Sequence, residues 1–217
     1  PSEYKGTLAR DTAMLLKVCP SAGGLVAAMV TRGSKESNTF ARRLNTKGND
    51  VVGAAYEIMG TAALCKSVSS PVNSTHGAPS LSIDAAEDKL VFGPKAHLNH
   101  RYNDDGKIAD RDRETVEGDA QLFKRGKEIA IDFKHVKEAK TRGVKDDDKK
   151  QIRGVAEAVS SGHYDEYHFV TNGRFSNPFK SFVGEINDGL VAGGSTPIAL
   201  HEYVNSVGSD PHSGGEA

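Results

Sequence analysis

The stretch Thr115–Val136, TVEGDAQLFKRGKEIAIDFKHV, decides how this chain is read. Two strand-like runs, Asp119–Phe123 and Glu128–Phe133, flank the turn Lys124-Arg125-Gly126-Lys127, which is the pattern of a β-hairpin. Alternate residues of a strand share a face. Asp132 and Lys134 therefore point one way, Ile131 and Phe133 the other, and the turn brings Asp119 beside the first pair. A charged Asp-x-Lys inside a β-pattern is costly to bury unless it serves something.

Downstream, KKQIRGVAEAVS (149–160) spaces Ile152, Val155, Ala156 and Val159 along one helical face, and Ser161-Gly162 stops it. Tyr167–Thr171 reads as a strand, Asn172-Gly173 as a turn, Phe179–Ile186 as a helix and Ile198–Val204 as a last strand or helix. Upstream, Asn49–Cys65 has apolar residues at helical spacing with Glu57 as its one acid, and residues 66–80 read as a loop. Leu81–Ile83 and Leu90–Phe92 are short candidate strands, and Asn103-Asp104-Asp105-Gly106 is a turn or hairpin tip. The DxDG-like look of that tip lacks EF-hand spacing, which sets calcium aside. The order implies an α/β fold, a mixed central β-sheet flanked by helices. It spans 49–207, with a helical N-terminal extension over 1–48 and a frayed tail over 208–217.

The length of 217 residues suits one domain with a small appendage, and is enough for a core without disulfides. Aromatics are 6% and Trp is absent, which argues against a base-stacking platform. No apolar run approaches the roughly 20 residues of a membrane span, so no membrane partner is expected. No signal peptide is visible, but the chain starts at Pro1 and is open to being a fragment, so location stays unknown. Cys19 and Cys65 belong to no metal-ligand pattern; they read as buried thiols, with a disulfide between them as the alternative. No phosphate-cradling glycine loop and no serine-hydrolase motif is present. The net charge of −1 is unevenly spread: residues 124–153 carry eleven basic and six acidic residues. A neutral protein can still offer such a patch to a polyanion.

Two carboxylates converging with a lysine suit metal-dependent phosphodiester hydrolysis. Carboxylate oxygens hold Mg²⁺, which keeps several waters and shares its shell with phosphate. The ion polarises the phosphate and lowers the pKa of a bound water, and a nearby lysine orients that water or neutralises developing charge. Glu57 would add a carboxylate from the preceding helix. His97, His100, His135, His163 and His168 show no HxH or HExxH spacing and read as structural, His135 being nearest to the acidic pair.

GDAQLFKRGKEIAIDFK (Gly118–Lys134) resembles the PD-(D/E)xK, or restriction-endonuclease-like, nuclease superfamily. Asp119 matches that pattern's first acid, although Glu117-Gly118 stands where a Pro is usual, and Asp132 with Lys134 matches its (D/E)-x-K. Gln151 opens the following helix, as in many members, and Glu57 lies where an earlier helix often supplies a Glu, although 62 residues before Asp119. The resemblance covers roughly 49–172. It implies an αβββαβ core and a metal-dependent endonuclease acting on DNA or RNA, with Asp119, Asp132 and Glu57 as metal ligands. Lys134 and Gln151 would assist them, and Mg²⁺ would be the cofactor, Mn²⁺ or Zn²⁺ the alternatives. Lys137, Lys140, Arg142, Lys145, Lys149, Lys150 and Arg153 would contact the phosphate backbone. The charge pattern is also similar to that of C-terminal toxin modules of bacterial delivery systems, which implies an immunity protein as partner and action in the cytoplasm of a target cell. A DNA-repair or phage nuclease, and a non-catalytic nucleic-acid- or protein-binding domain on the same fold, are the alternatives.

Overall fold

The structure is a computed structural model, and it describes residues 73–74, 81, 83, 87–92, 95–103, 107–110, 115–134, 136, 141–171 and 173–202. The expected N-terminal extension, the helix bearing Glu57, the cysteines, His135, Lys137, Lys140 and the tail all lie outside them. In chain order the strands are β1 (Asn73–Ser74), β2 (Lys89–Phe92), β3 (Lys95–His97), β4 (Arg101–Tyr102), β5 (Ile108–Asp110), β6 (Thr115–Glu117), β7 (Ala120–Lys124), β8 (Lys127–Lys134) and β9 (Thr141–Arg142). Helix α1 (Asp146–Ser160), β10 (Glu166–Thr171), β11 (Arg174–Phe175), helix α2 (Asn177–Ala192) and β12 (Ala199–Glu202) follow.

The hairpin forms between β7 and β8, with Ala120 opposite Ile131 and Lys124 opposite Lys127. Its turn is thus two residues long, Arg125-Gly126, and not the four read from the sequence. Both residues have positive φ, 51° and 79°, the type I′ geometry whose twist matches that of the flanking strands. Gly126 takes that conformation without a Cβ clash.

Six strands make the main sheet in the order β1-β12-β10-β8-β7-β2. β8, β10 and β12 run parallel, while β1, β7 and β2 pair antiparallel with their neighbours. The two parallel steps need crossovers, and α1 and α2 supply them. Every residue of β10 is buried, as expected of a central strand covered on both faces. On one face Ala130, Tyr167, Phe169 and Leu200 form a core with Ile152 and Val155 of α1 and Phe179, Val183 and Ile186 of α2. On the other, Ala120, Leu122, Ile129 and Ile131 are buried.

Local chemistry moves the element ends away from those read in the sequence. α1 starts at Asp146, not 149, because three aspartates fill its first turn, where the helix dipole favours negative charge. Asp148 also reaches back to accept from Lys145 N at 2.8 Å. α2 starts at Asn177, not Phe179, since the Ser176 hydroxyl accepts from Phe179 N at 3.2 Å and Pro178 sits in the first turn. The C-terminal segment is a strand, and Leu81 and Ile83 lie outside any strand. Asn73–Ser74, read as loop, pairs with β12.

The short strands β3–β6 lie over the outer side of α1. A Cβ on Gly154 would stand 2.9 Å from Leu98 Cδ1, so glycine permits the close approach there. Glu157, also on α1, accepts from Asn99 N, from His100 Nδ1 at 2.9 Å and from Tyr102 Oη at 2.7 Å. These bonds pin the segment before β5 to the helix.

Candidate active site

Lys134, Thr171 and Glu202 stand side by side at the carboxyl ends of β8, β10 and β12, the end of a parallel sheet where ligands bind. Asp132, one strand repeat earlier on the α1 face, is 3% exposed. Lys134 Nζ donates to Asp132 Oδ1 at 2.8 Å and to Gln151 Oε1 at 2.7 Å, and Gln151 Nε2 donates to Asp132 Oδ2 at 2.5 Å. The three side chains close a ring. Only one orientation of the Gln151 amide serves it, with the NH₂ on the carboxylate and the carbonyl on the ammonium. The strand period supplies the Asp-x-Lys pair, and the second turn of α1 lowers Gln151 onto it.

Asp119 precedes β7 and is adjacent to Asp132 across the ladder. Its N–H donates to Ile131 O at 2.9 Å, and its Oδ2 accepts from Phe133 N at 2.6 Å. The carboxylate thus takes over a strand N–H where the ladder ends. Burial opposes the Lys134 charge most strongly, yet Asp132, then Asp119 and Asp148, outweigh it and raise the ammonium above its ordinary pKa. The Lys134 Nζ lies 5.5 Å from the centroid of the Phe169 ring, a cation–π contact on its apolar side. Thr171 Oγ1 donates to Lys134 O at 2.7 Å and ties the two strand ends together.

The expected site residues Asp119, Asp132, Lys134 and Gln151 are brought together. Glu57 lies outside the described residues, as do Lys137 and Lys140. The rest of the basic stretch is less available than its sequence suggests. Arg142 Nη2 pairs with buried Asp148 at 2.6 Å, Lys149 with Asp146 at 2.9 Å, and the Arg153 guanidinium lies 5.4 Å from the Phe182 ring centroid. Lys145 is exposed.

Two participants were not read from the sequence. Asp148 sits in a run that reads as a charged loop, and it adds a third acid to the surroundings of Lys134. Tyr167 lies on β10 opposite Ala130, with its side chain on the Asp132 face. It is 1% exposed, and its hydroxyl is within loose hydrogen-bonding reach of the Asp132 carboxylate without ideal geometry. Burial, then the charges of Asp132 and Asp119, with smaller contributions from Tyr164 and a hydrogen bond to Asp132, push its pKa well above the usual phenol value, so it remains a donor. The signal available was the period: in EYHFVT, Tyr167 and Phe169 alternate in phase with Asp132 and Lys134 once β10 is placed beside β8.

The opposite face holds a second polar chain. Lys127 Nζ donates to Glu166 Oε1 at 2.6 Å, Glu166 Oε2 and His168 Nε2 are 3.2 Å apart, and His168 Nδ1 and His201 Nε2 are 2.8 Å apart. The His168 bond, offset in part by burial and aided by Lys127, holds Glu166 down to about 2, and burial pushes His201 down to about 3. His168 is therefore turned away from the carboxylate pair.

Among the described residues no group of three or more His, Cys, Asp or Glu side chains converges on a common point. The Asp119 and Asp132 carboxylates lie next to each other across the β7–β8 pair, with both Asp132 oxygens and Oδ2 of Asp119 accepting from protein donors. Among the described residues no helix is long and apolar enough to cross a membrane.

No protein-family model and no curated protein matches the chain. In part it is similar to the solved structure of a protein of unknown function, AF1548. The two are 14% identical over 56% of this chain and 53% of that one, with a TM-score of 0.32. The chain thus spans about half the length of that structure.

Proposed function

We propose that this chain is a metal-dependent nuclease on a restriction-endonuclease-like core, hydrolysing phosphodiester bonds of DNA or RNA. One observation carries the reading: Asp132, Lys134 and Gln151 close a hydrogen-bonded ring beside Asp119, at the carboxyl ends of the parallel strands of the mixed sheet. Asp119 and Asp132 would hold Mg²⁺, which supplies an activated water and a polarised phosphate when bound. The raised pKa of Lys134 keeps it an ammonium, able to hydrogen-bond the attacking water or the phosphate oxygen that gains charge. Gln151 fixes the positions of both Lys134 Nζ and the Asp132 carboxylate. Exposed Lys145 supplies backbone attraction without sequence choice.

The test is incubation of the purified chain with plasmid DNA and with total tRNA, in Mg²⁺ and in EDTA. Cleavage that needs Mg²⁺ supports the reading and assigns the substrate, and intact substrates in both buffers reject it. The toxin-module reading, with an immunity protein as partner, rests on charge pattern alone and is tested by growth of a bacterial host expressing the chain. A non-catalytic binding domain is favoured by one observation: both Asp132 oxygens are already engaged by protein donors. Such a domain would bind nucleic acid equally in Mg²⁺ and EDTA and cleave none.

A further inference from the structure

We propose that His168 and His201 form a one-proton clasp between β10 and β12, on the sheet face turned away from Asp132: the buried pair takes up a single proton as a unit, with its contact intact, and parts when a second arrives. The inference is independent of the nuclease reading.

The proton count follows from three contacts. Glu166 Oε1 accepts from Lys127 Nζ at 2.6 Å, and its Oε2 lies 3.2 Å from His168 Nε2. An ionised carboxylate only accepts, so Nε2 of His168 carries a hydrogen. His168 Nδ1 and His201 Nε2 stand 2.8 Å apart, with ring planes within 10° of parallel. Two nitrogens that close share one hydrogen; a second between them would set two N–H groups head to head. Nδ1 of His201 is then the one position left for a further proton. Without it, His201 donates to His168 and the pair is neutral. With it, the bridging hydrogen passes to His168, His201 becomes the acceptor, and the same nitrogen positions serve. Two imidazolium rings have no such arrangement, and they set like charges at hydrogen-bond distance. The rings are 0% and 1% exposed, so bulk water does not screen them. On this face of the sheet the described charged groups are Glu166 and Lys127, Asp165 beside Lys127, and the Lys124–Asp88 ion pair beyond β8. Apolar Ile131 of β8 stands opposite His168, and Ser74 of β1 opposite His201. Thr171 and Glu202, at the candidate site, end the same two strands, so the clasp secures from behind the strands on which the site stands.

The experiment titrates the full chain, labelled with ¹⁵N in its histidines, from about pH 8 to about pH 3, the span in which imidazole changes charge. Nitrogen NMR reads the protonation of each ring nitrogen, and His168→Gln and His201→Gln assign the signals. Hydrogen exchange of the β12 amides is followed on the same samples. In wild type the two rings should take up one proton between them, their signals moving together at a common midpoint as coupled sites do, while β12 stays protected. Protection of β12 should be lost as the second proton enters. His201→Gln offers His168 an amide in place of the second ring, and should keep β12 protected through the pH at which wild type loses it; His168→Gln gives the same comparison if the first variant does not fold. Two independent full titrations with β12 still protected overturn the proposal. So does a wild type whose rings take up no proton until the whole sheet unfolds, and so does loss of β12 protection at the same pH in wild type and variant.

Discussion

Replacing Lys134 by Ala removes the one cation of the Asp132–Lys134–Gln151 ring. A surface lysine would cost no more than about 0.5 kcal/mol, but this one is not on the surface: its side chain is 15% exposed and its partner Asp132 5%. The variant leaves the Asp132 carboxylate buried with only the Gln151 amide, and leaves Gln151 Oε1 without its donor. Breaking a buried pair from one side costs about 3–5 kcal/mol. For a chain of this size each kcal/mol moves Tm by about 2–4 °C, so the melt should fall by about 6–20 °C. The double variant Asp132→Asn/Lys134→Met removes both charges together and should be less destabilised than the two single changes summed. Turnover should fall about 10²–10³-fold, the scale of losing one donor to developing charge, when measured well below the variant's melting temperature. Thermal melts, urea titrations and cleavage rates on the same samples decide the matter. A Tm within 1–2 °C of wild type would mean that the ring contributes nothing to the fold, and wild-type turnover would remove Lys134 from the mechanism.

Asp119→Asn keeps an acceptor for Phe133 N and loses the charge, so stability should drop by about 1 kcal/mol or less while cleavage falls to background; retained cleavage refutes the metal role. Lys145→Ala should weaken nucleic-acid binding and reduce its salt slope by about 1, whereas Lys149→Ala, whose charge is already spent on Asp146, should move the slope less; binding titrations across salt concentrations read both. Stability should fall in acid through the opposite face. His201 is neutral in the fold with its pKa lowered to about 3, against about 6.5 in the unfolded chain, so its contribution is whole above pH 6.5 and is lost as pH falls from there toward 3. At pH 4.5 that loss is about 2–3 kcal/mol. Glu166, held to about 2, adds a further loss below its unfolded value, in the same direction. Urea unfolding at pH 7 and pH 4.5 should show the loss in wild type and a smaller one in His201→Gln; equal losses refute the assignment.

The sequence by itself determined what depends on short spans of chain. The two periods, 2 in DFK and 3.6 in QIRGVAEAV, placed a strand and a helix, and put Asp132 and Lys134 on one face. The Arg-Gly turn between two β-runs put Asp119 next to them. Element ends were less legible, because caps such as Asp148 and Ser176 act through bonds that composition does not display. Only the tertiary structure decided what depends on which strands become neighbours. Setting β10 beside β8 in parallel register put Tyr167 opposite Ala130, Phe169 opposite Asp132 and Thr171 opposite Lys134. Setting β12 beside β10 stacked His201 on His168 and took both away from the site. The same holds for charge: in the sequence the stretch 124–153 is a basic surface, yet in the fold Arg142 and Lys149 each pair with an aspartate of the first turn of α1, Asp148 and Asp146. A charge's partner is chosen by which groups the folded backbone holds within a few ångströms, and sequence distance says little about that.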